Sequence, residues 1–277
     1  MHEARLQIEA IGSDEAALEA ELLMMRVLGI DRVHLYERLQ EPISPDARTG
    51  FQALLERRLA REPVAYITGH REFFGLDFEV SPAALIPRPE TETLVELVLA
   101  FARERYANAQ ITIADVGVGA GTIAVPVARE LPNTRIIATD VSSATLDLAR
   151  RNAQRHGVAD RIDFRLGDIL APLGGPVDVI AANPPYVTTE QWKAMPPEIR
   201  EHEPRTALDG GRDGLDVIRR LLAEAPRYLD TGGALFCEIG DWQGDAAREL
   251  ASAAFPGARI EVRPDLTGRD RVLAVYC

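Results

Sequence analysis

The stretch ITIADVGVGAGTIAVPVARE, residues 111–130, decides the fold of this chain. Its first six residues form an apolar run, which is typical of a buried strand, and they lead directly into glycines at positions 117, 119 and 121. Glycine lets the backbone turn tightly and approach a ligand at the N-terminus of the helix that is expected from about Ile123. The stretch therefore predicts a strand, a ligand-binding loop and a helix in succession.

Strands and helices alternate around this unit. Further helices are expected over residues 91–105, 143–156, 214–228 and 244–254, and further strands over 135–140, 161–168, 177–183 and 234–240. Strands that are separated by helices require right-handed crossovers and form a mostly parallel sheet that is covered on both faces. The final strands, RIEVRPD and RVLAVYC, are joined by a short loop and are expected to be antiparallel. The sequence thus predicts an α/β fold.

Residues 1–75 are expected to form a small acidic helical domain. Apolar side chains recur there at intervals of three and four residues, at Leu18, Leu22, Met25 and Leu28, and Gly29 follows as a stop signal. Through Val80 the chain has 15 acidic and 9 basic residues. The run FFGLDFEV indicates a hairpin and SPAALIPRPE a proline-stiffened connector. We therefore place a hairpin linker at 76–90 and a second domain at 91–277.

The composition excludes several classes of protein. The chain has 277 residues with a formal charge of −12, so it lacks the cationic surface of a nucleic-acid binder, and no direct nucleic-acid binding is expected. No apolar run approaches the roughly 18–20 residues that span a bilayer, so no membrane contact is expected. The first ten residues, MHEARLQIEA, carry acids where a signal peptide carries a basic head. Because Cys237 and Cys277 cannot build a disulfide framework, we expect a cytoplasmic protein.

The glycine loop predicts a nucleoside ligand. Its spacing is G-x-G-x-G, whereas the dinucleotide fingerprint requires G-x-G-x-x-G and this chain has Thr122 at the following position. Asp140 ends the next strand, where a carboxylate can accept both hydroxyls of an adenosine ribose. A glycine-rich turn beside an aspartate, without any ligand, is the alternative interpretation.

The segment Asn183, Pro184, Pro185 and Tyr186 follows the strand VDVIAAN. Consecutive prolines fix the backbone and donate no hydrogen bonds, so the carbonyl group of Pro184 is held as a free acceptor. The Asn183 amide adds a second acceptor, and the two acceptors suit a planar NH2 group on which the Tyr186 ring can stack. If the two motifs follow neighbouring strands at the switch point of the sheet, they share one cleft. That cleft would transfer a small group to nitrogen, although a rigid turn without function is the alternative.

The sequence resembles the HemK/PrmC family of N5-glutamine methyltransferases, within the seven-stranded Rossmann-like class I methyltransferases that use S-adenosylmethionine. The resemblance covers nearly the whole chain, in EPVAYITGHREFFG, IPRPETE, the glycine loop, NAQRHG, NPPY, EPRTALDGGRDGLDVIRRLL, EIGDWQG and DLTGRDR. It implies methylation of the glutamine in the Gly-Gly-Gln motif of class I peptide chain release factors, which leaves S-adenosylhomocysteine. It also implies that residues 1–75 recognise this protein substrate.

The resemblance also implies roles for individual residues. Cofactor-binding residues would be Asp115, Gly117, Val118, Gly119, Ala120, Gly121, Asp140, Asp168, Ile169 and Asn183. Residues 183–186 would hold and orient the substrate amide and thus be catalytic, and Arg88, Glu90 and Thr91 would contact the substrate from the linker side. The family usually has hydroxyl residues in place of Val118 and Ala120, so these contacts are lost here, and Pro126 lies just inside the following helix.

The sequence does not favour metal-dependent chemistry. The pairs His70 with Glu72 and His202 with Glu203 have no further ligands at metal-binding spacing, so no metal site is expected. Three alternatives remain open: methylation of a glutamine in a large-subunit ribosomal protein, methylation of an exocyclic amine of DNA or RNA, and a cofactor-binding regulator without catalytic activity.

Overall fold

The computed structural model describes residues 1–107 and 109–277, and these residues form two compact units. One unit comprises Met1–His70 with Pro196–His202, and the other comprises Arg71–Met195 with Glu203–Cys277. The segment 196–202 thus belongs to the first unit, although it is distant from the rest of that unit in sequence. The domain boundaries predicted from the sequence, 1–75, 76–90 and 91–277, concern independently folding domains and stay predictions.

The elements follow one another along the chain. The helices are α1 (His2–Ala10), α2 (Ala16–Leu28), α3 (Arg32–Glu37), α4 (Pro45–Leu59), α5 (Val64–Thr68), α6 (Thr91–Tyr106), α7 (Ala124–Glu130), α8 (Ser143–Arg155), α9 (Thr189–Lys193), α10 (Pro197–His202), α11 (Asp216–Glu224) and α12 (Gly244–Ala254). The strands are β1 (His70–Phe73), β2 (Leu76–Glu79), β3 (Ile111–Val116), β4 (Thr134–Asp140), β5 (Ile162–Leu166), β6 (Val177–Ala182), β7 (Leu229–Glu238), β8 (Arg259–Pro264) and β9 (Asp270–Tyr276).

The first unit is helical and has its own apolar core. Helix α2 ends at Gly29, which adopts a left-handed conformation with φ +63°, so the predicted stop signal is confirmed. Apolar side chains such as Leu23 and Leu55 are buried between the helices. Arg58 is also buried, and its guanidinium forms ion pairs with Glu19 at 2.7 Å and with Glu198 of α10 at 3.1 Å. These bonds compensate the burial of the Arg58 charge and join α10 to this unit.

The second unit contains a seven-stranded sheet among its described residues, in the order β5-β4-β3-β6-β7-β9-β8. The five strands β3, β4, β5, β6 and β7 are parallel to one another, and β9 is antiparallel to both β7 and β8. The apolar strands are covered by helices such as α11 and α12, whose Leu221 and Ala251 belong to the same buried core. The predicted Rossmann-like α/β fold with a small N-terminal helical region is confirmed.

The order of the strands creates a switch point between β3 and β6. From β3 the chain continues outward to β4 and β5, then returns to place β6 against the opposite edge of β3, with Val116 beside Ala182. The residues that follow these two strands, the glycine loop and Asn183, therefore emerge side by side, as predicted. Open α/β sheets bind their ligands at this point.

Some element bounds differ from the predicted ones. Strand β7 begins at Leu229 and includes Gly232 and Gly233, which lie outside the predicted strand 234–240. Gly233 lies there against the Asp178 carbonyl oxygen, which would be 2.5 Å from a Cβ atom. The helix expected to reach residue 228 ends at Glu224, because Pro226 shifts the chain into a short 3-10 turn.

The predicted hairpin is present as β1 and β2, which form a two-stranded sheet. The turn between them uses left-handed backbone at Phe74 and Gly75. None of the described helices combines the length and apolar character that crossing a membrane requires.

Candidate active site

A cavity of about 440 Å³ opens at the carboxyl ends of β3, β4 and β6. Its lining consists of residues 82–88, Thr91, 116–120, Thr122, Ile123, 139–142, Thr145, 167–169, 183–185, Pro204, Thr206, Ala207, Val217 and Leu221. The volume lies within the range of about 300–1,000 Å³ that is typical of ligand sites. The glycine loop and the Asn-Pro-Pro segment thus share one cleft, as the strand order requires.

A second, more open cleft of about 720 Å³ lies at the amino ends of β4 and β5, around Thr134 and Ile162. Its described lining contains none of the predicted site residues. Since open α/β sheets bind ligands at their carboxyl ends, the first cavity is the candidate active site.

The glycine loop turns away from β3 in a conformation that favours glycine. Gly117 and Gly119 have φ values of +74° and +55°, which side chains other than glycine rarely adopt. The N–H groups of Gly117 and Val118 donate to the carbonyl oxygen of Thr139 at 2.9 and 3.0 Å. A Cβ atom on Gly117 would enter open space. Because Gly117 lines the cavity, that space is available to a ligand.

Gly121 has a different role in the loop. Its φ is also left-handed, at +91°, but a Cβ atom there would lie 3.1 Å from Cγ2 of Val125 and 3.7 Å from Cβ of Ala149. Gly121 is not among the described residues that line the cavity. The absence of a side chain at Gly121 lets the loop lie against Val125 of α7 and Ala149 of α8.

Asp140 ends β4 and lines the cavity. Its Oδ1 atom accepts the N–H of Ser142 at 2.9 Å, and its Oδ2 atom accepts the N–H of Gly119 at 3.3 Å. Burial raises the pKa of the Asp140 carboxyl, and these backbone hydrogen bonds oppose the rise. The carboxylate is therefore fixed relative to the glycine loop and faces the space where a ribose is expected.

Asp115 lies within β3 and is fully buried. Its Oδ2 atom accepts the N–H of Ala124, the first residue of α7, at 2.9 Å, whereas Oδ1 has no hydrogen-bond partner among the described residues. Burial raises the pKa of this carboxyl to about 7. Asp115 is not among the described residues that line the cavity.

Asp168 and Ile169 line the cavity after β5. The Asp168 carboxylate pairs with Arg220 on α11. Ile169 has a φ of +48°, which is a strained conformation for a β-branched residue. Its carbonyl oxygen accepts the Thr139 hydroxyl at 2.9 Å, and this hydrogen bond helps to hold the strained turn.

Asn183 and Pro184 present two free acceptors at the cavity. The Nδ2 group of Asn183 donates to Oγ1 of Thr91 at 3.0 Å, and no described residue donates to Asn183 Oδ1. None of the described residues donates to the Pro184 carbonyl oxygen either. These two oxygens can therefore accept both hydrogens of an amide NH2 group.

Tyr186 lies behind this segment and is absent from the described cavity lining. Its hydroxyl donates to Oε1 of Glu238 at 3.2 Å, and its ring packs edge-on against Trp242 at 6.5 Å. Burial raises the pKa of the Tyr186 hydroxyl, with the Glu238 charge as the next cause. In this structure Tyr186 supports the segment instead of facing the cavity.

The linker before α6 forms one wall of the cavity. Arg88 and Thr91 line it, whereas Glu90 is exposed and absent from the described lining. The buried carboxylate of Glu203 holds this wall, since it pairs with the Arg88 guanidinium and accepts the N–H of Ile86 at 3.1 Å.

Three residues that support the site were not predicted from the sequence: Glu203, Glu238 and Asn152. Each is buried, and each lies in a quoted motif, EPRTAL, EIGDWQG or NAQRHG. The position of each polar residue inside a motif was a signal that it matters. Its hydrogen-bond partners could not be predicted, because they are distant in sequence and only the fold brings them together.

Both parts of the chain are similar to known protein families. Residues 1–69 match the PrmC N-terminal domain, and residues 96–199 match the methyltransferase small domain. The release factor glutamine methyltransferase of Moorella thermoacetica is 45% identical over 276 residues, covering 99% of this chain and 96% of that protein. The protein of the same name from Cereibacter sphaeroides is 44% identical, covering 97% and 94%.

Solved structures share the fold. A methyltransferase from Pyrococcus furiosus has a TM-score of 0.52 at 21% identity, covering 81% of this chain and 96% of that one. The hMettl16 catalytic domain, solved in complex with the MAT2A 3′UTR hairpin 6, has a TM-score of 0.55 at 16% identity, covering 84% and 81%. At these identities the likeness concerns the fold alone. On the full-length sequence similarity, this chain belongs to the release factor glutamine methyltransferase family.

Proposed function

We propose that this enzyme transfers a methyl group from S-adenosylmethionine to the side-chain amide nitrogen, N5, of the glutamine in the Gly-Gly-Gln motif of class I peptide chain release factors. The names of its full-length relatives support this function. The observation that carries the chemistry is the shared cavity, in which Asn183 and Pro184 offer two free acceptors close to the glycine loop and Asp140.

The residues of the cavity fit S-adenosylmethionine. The open space at Gly117 suits the methionine part. Asp115, which lies behind the loop near the end of β3, would contribute negative charge toward the ammonium group of that part. Asp140 would bind the ribose hydroxyls, and Asp168 with Ile169 would border the adenine. Val118 and Ala120 would contribute backbone groups only, since they lack hydroxyls.

The substrate amide would be held by the segment 183–186. Its two N–H groups would donate to Asn183 Oδ1 and to the Pro184 carbonyl oxygen, so the lone pair of the nitrogen is aimed along one direction. Pro185 stiffens this segment and Tyr186 supports it through Glu238. Arg88 and Thr91 would form the neighbouring wall, with Glu90 on the exposed side of the linker.

When bound, S-adenosylmethionine supplies a methyl group on a sulfonium, which leaves as the neutral thioether S-adenosylhomocysteine. In this reaction a bond would form between the amide nitrogen and the methyl carbon, and the carbon–sulfur bond would break with its electron pair staying on sulfur. One N–H proton of the substrate then passes to water. The two acceptors favour the positive charge that develops on the nitrogen.

Residues 1–75 would recognise the release factor, as the resemblance implies. The match of residues 1–69 to the PrmC N-terminal domain supports that role. The acidic net charge of −12 supports a protein partner over direct nucleic-acid binding. Because the proposed substrate acts in translation termination, we propose a cytoplasmic location.

The variant Asn183→Ala tests the chemistry. Loss of one oriented acceptor should lower kcat by about 10²- to 10³-fold, with a much smaller effect on binding of S-adenosylhomocysteine in calorimetry. Asn133→Ala, at an exposed position before β4, is the matched control and should retain kcat. Normal turnover of Asn183→Ala would refute the mechanism.

A further inference from the structure

A buried carboxylate lies behind the proposed catalytic segment. Glu238 is the last residue of β7 and is fully buried. Since Ala182 of β6 pairs with Cys237, Glu238 is level with Asn183 across the sheet. Glu238 is absent from the described lining of the cavity, so it is not placed to touch a substrate there.

Two hydroxyl groups converge on the two oxygens of Glu238. The Thr91 hydroxyl donates to Oε2 at 2.7 Å, and the Tyr186 hydroxyl donates to Oε1 at 3.2 Å. An ionised carboxylate only accepts hydrogen bonds, and each hydroxyl has a single proton to give. Both protons therefore point toward Glu238.

This arrangement fixes the direction of the next hydrogen bond. Because the Thr91 proton is committed to Glu238, Thr91 Oγ1 can only accept from its other neighbour. The Asn183 amide must then turn its Nδ2 group toward Thr91, as observed at 3.0 Å. Its Oδ1 atom consequently faces the opposite way and stays available as an acceptor.

We propose that Glu238 is a positioning residue for methyl transfer, which acts through Thr91 to hold the Asn183 amide with its oxygen toward the substrate nitrogen. This inference rests on the proposed function, because it assumes an NH2-bearing acceptor. Glu238 itself forms no bond to the substrate and takes no proton from it.

The environment of Glu238 gives the arrangement a pH dependence. Burial raises the pKa of its carboxyl to about 7, while the Thr91 and Tyr186 hydroxyls and the Arg271 charge oppose the rise and Glu90 adds to it. A protonated Glu238 can donate to Thr91, which then donates to Asn183 Oδ1 and favours the flipped amide. Transfer should therefore decline as the pH falls through about 7.

The variant Glu238→Gln separates positioning from folding. Glutamine has the same shape but only one acceptor oxygen, so it cannot accept both hydroxyl protons as the carboxylate does. We expect kcat to fall by about 10- to 100-fold, while binding of S-adenosylhomocysteine changes less than about threefold and the decline near pH 7 disappears. A kcat and a pH profile like those of the parent enzyme would overturn the proposal.

Thr91 provides a second, matched pair of variants. Thr91→Ser keeps the hydroxyl, whereas Thr91→Val keeps the shape without the hydroxyl, so kcat of the valine variant should be at least about tenfold below that of the serine variant and should match the loss in Glu238→Gln. Equal kcat values for the serine and valine variants would overturn the proposal even if Glu238→Gln does not fold.

A measurement on Asn183 itself is independent of activity. In nitrogen-15 spectra, one side-chain N–H of Asn183 should exchange slowly with solvent in the parent enzyme and in Thr91→Ser, and rapidly in Thr91→Val. Unchanged exchange across these proteins would overturn the proposal.

The same assays distinguish the proposal from the proposed function. If the parent enzyme methylates an amine of DNA instead of a release factor, the proposed function fails, and a loss of kcat in the variants on that substrate still supports Glu238 positioning. If the parent enzyme methylates the release factor and the variants keep their kcat, the function stands and the positioning role fails.

Discussion

The side chain of Asn152 pairs with the backbone of Glu79 as a neighbouring strand would. Its Oδ1 atom accepts the Glu79 N–H at 2.8 Å, and its Nδ2 group donates to the Glu79 carbonyl oxygen at 2.9 Å. The same Nδ2 group also donates to the carbonyl oxygen of Ala120 at 2.9 Å. Asn152 of α8 thus connects β2 of the hairpin to the glycine loop through hydrogen bonds.

Asn152→Asp should destabilise the protein strongly. A carboxylate cannot donate to the carbonyl oxygens of Glu79 and Ala120, so two buried acceptors lose their partner and the free energy of unfolding should fall by about 2–5 kcal/mol. Urea unfolding measures the loss. Gln154→Glu makes the same change at an exposed position of α8 and should have little effect. Equal stability of both variants would contradict this role.

Gly117→Ala and Gly121→Ala should fail in different ways. Both glycines have a left-handed φ, so both variants carry strain of about 1–2 kcal/mol. At position 121 the added Cβ also crowds Val125, at 3.1 Å, and should increase the loss of stability to about 2–4 kcal/mol. At position 117 it enters the cavity and should weaken binding of S-adenosylhomocysteine more than tenfold. Thermal unfolding and calorimetry should give these opposite rankings; the reverse order would be inconsistent with the geometry.

Asp115 should make the stability depend on pH. Burial raises the pKa of its carboxyl from 3.8 to about 7, so between these values the folded chain keeps a proton that the unfolded chain has lost. The free energy of unfolding should therefore fall as the pH rises through this window, by at most about 1.4 kcal/mol per pH unit for this group.

Glu238 should also make the free energy of unfolding fall as the pH rises, because burial raises its pKa from 4.5 to about 7. Asp115→Asn should remove one of these two contributions and reduce the slope between pH 5 and 7, as measured by urea unfolding at fixed ionic strength. Asp147→Asn, at an exposed position of α8, is the control. A slope that is unchanged in Asp115→Asn would show that Asp115 is ionised in the folded protein.

The N-terminal unit should be required for the protein substrate and dispensable for the cofactor. A chain that begins near residue 85 follows the predicted linker, but it would lose Pro82, Ala83 and Ala84, which line the cavity. A chain that begins at Arg71 keeps that wall. We expect it to bind S-adenosylhomocysteine and to methylate the release factor at least tenfold more slowly. Full activity of this shorter chain would exclude a recognition role for the first 70 residues.

Much of the sheet could be predicted from the sequence, because its strands are short apolar runs between glycines, polar turns and amphipathic helices. The runs at β3, β4 and β6 are within one residue of their predicted bounds. Gly232 and Gly233 lie outside the predicted strand 234–240 but inside β7, where the carbonyl oxygen of Asp178 leaves no room for a Cβ atom at Gly233. Local pattern cannot distinguish a glycine that ends a strand from one that permits close approach.

The residues that line the cavity were more accessible to prediction than those that support it. Asn183, Pro184 and Asp140 follow or end strands, and parallel strands bring such ends together. Thr91 and Glu238 are 147 positions apart, and no periodicity relates them. Their hydrogen bond, and the orientation that it gives to Asn183, follow only from the folded chain.

Transfer of labelled methyl from S-adenosylmethionine tests the central claim most directly. The acceptors are a purified class I release factor, the same factor with Gln→Ala in its Gly-Gly-Gln motif, a large-subunit ribosomal protein and duplex DNA. We predict that label appears on the unmodified release factor and is absent when the glutamine is replaced. Label on the Gln→Ala factor, or label only on the ribosomal protein or DNA, would contradict the proposed function.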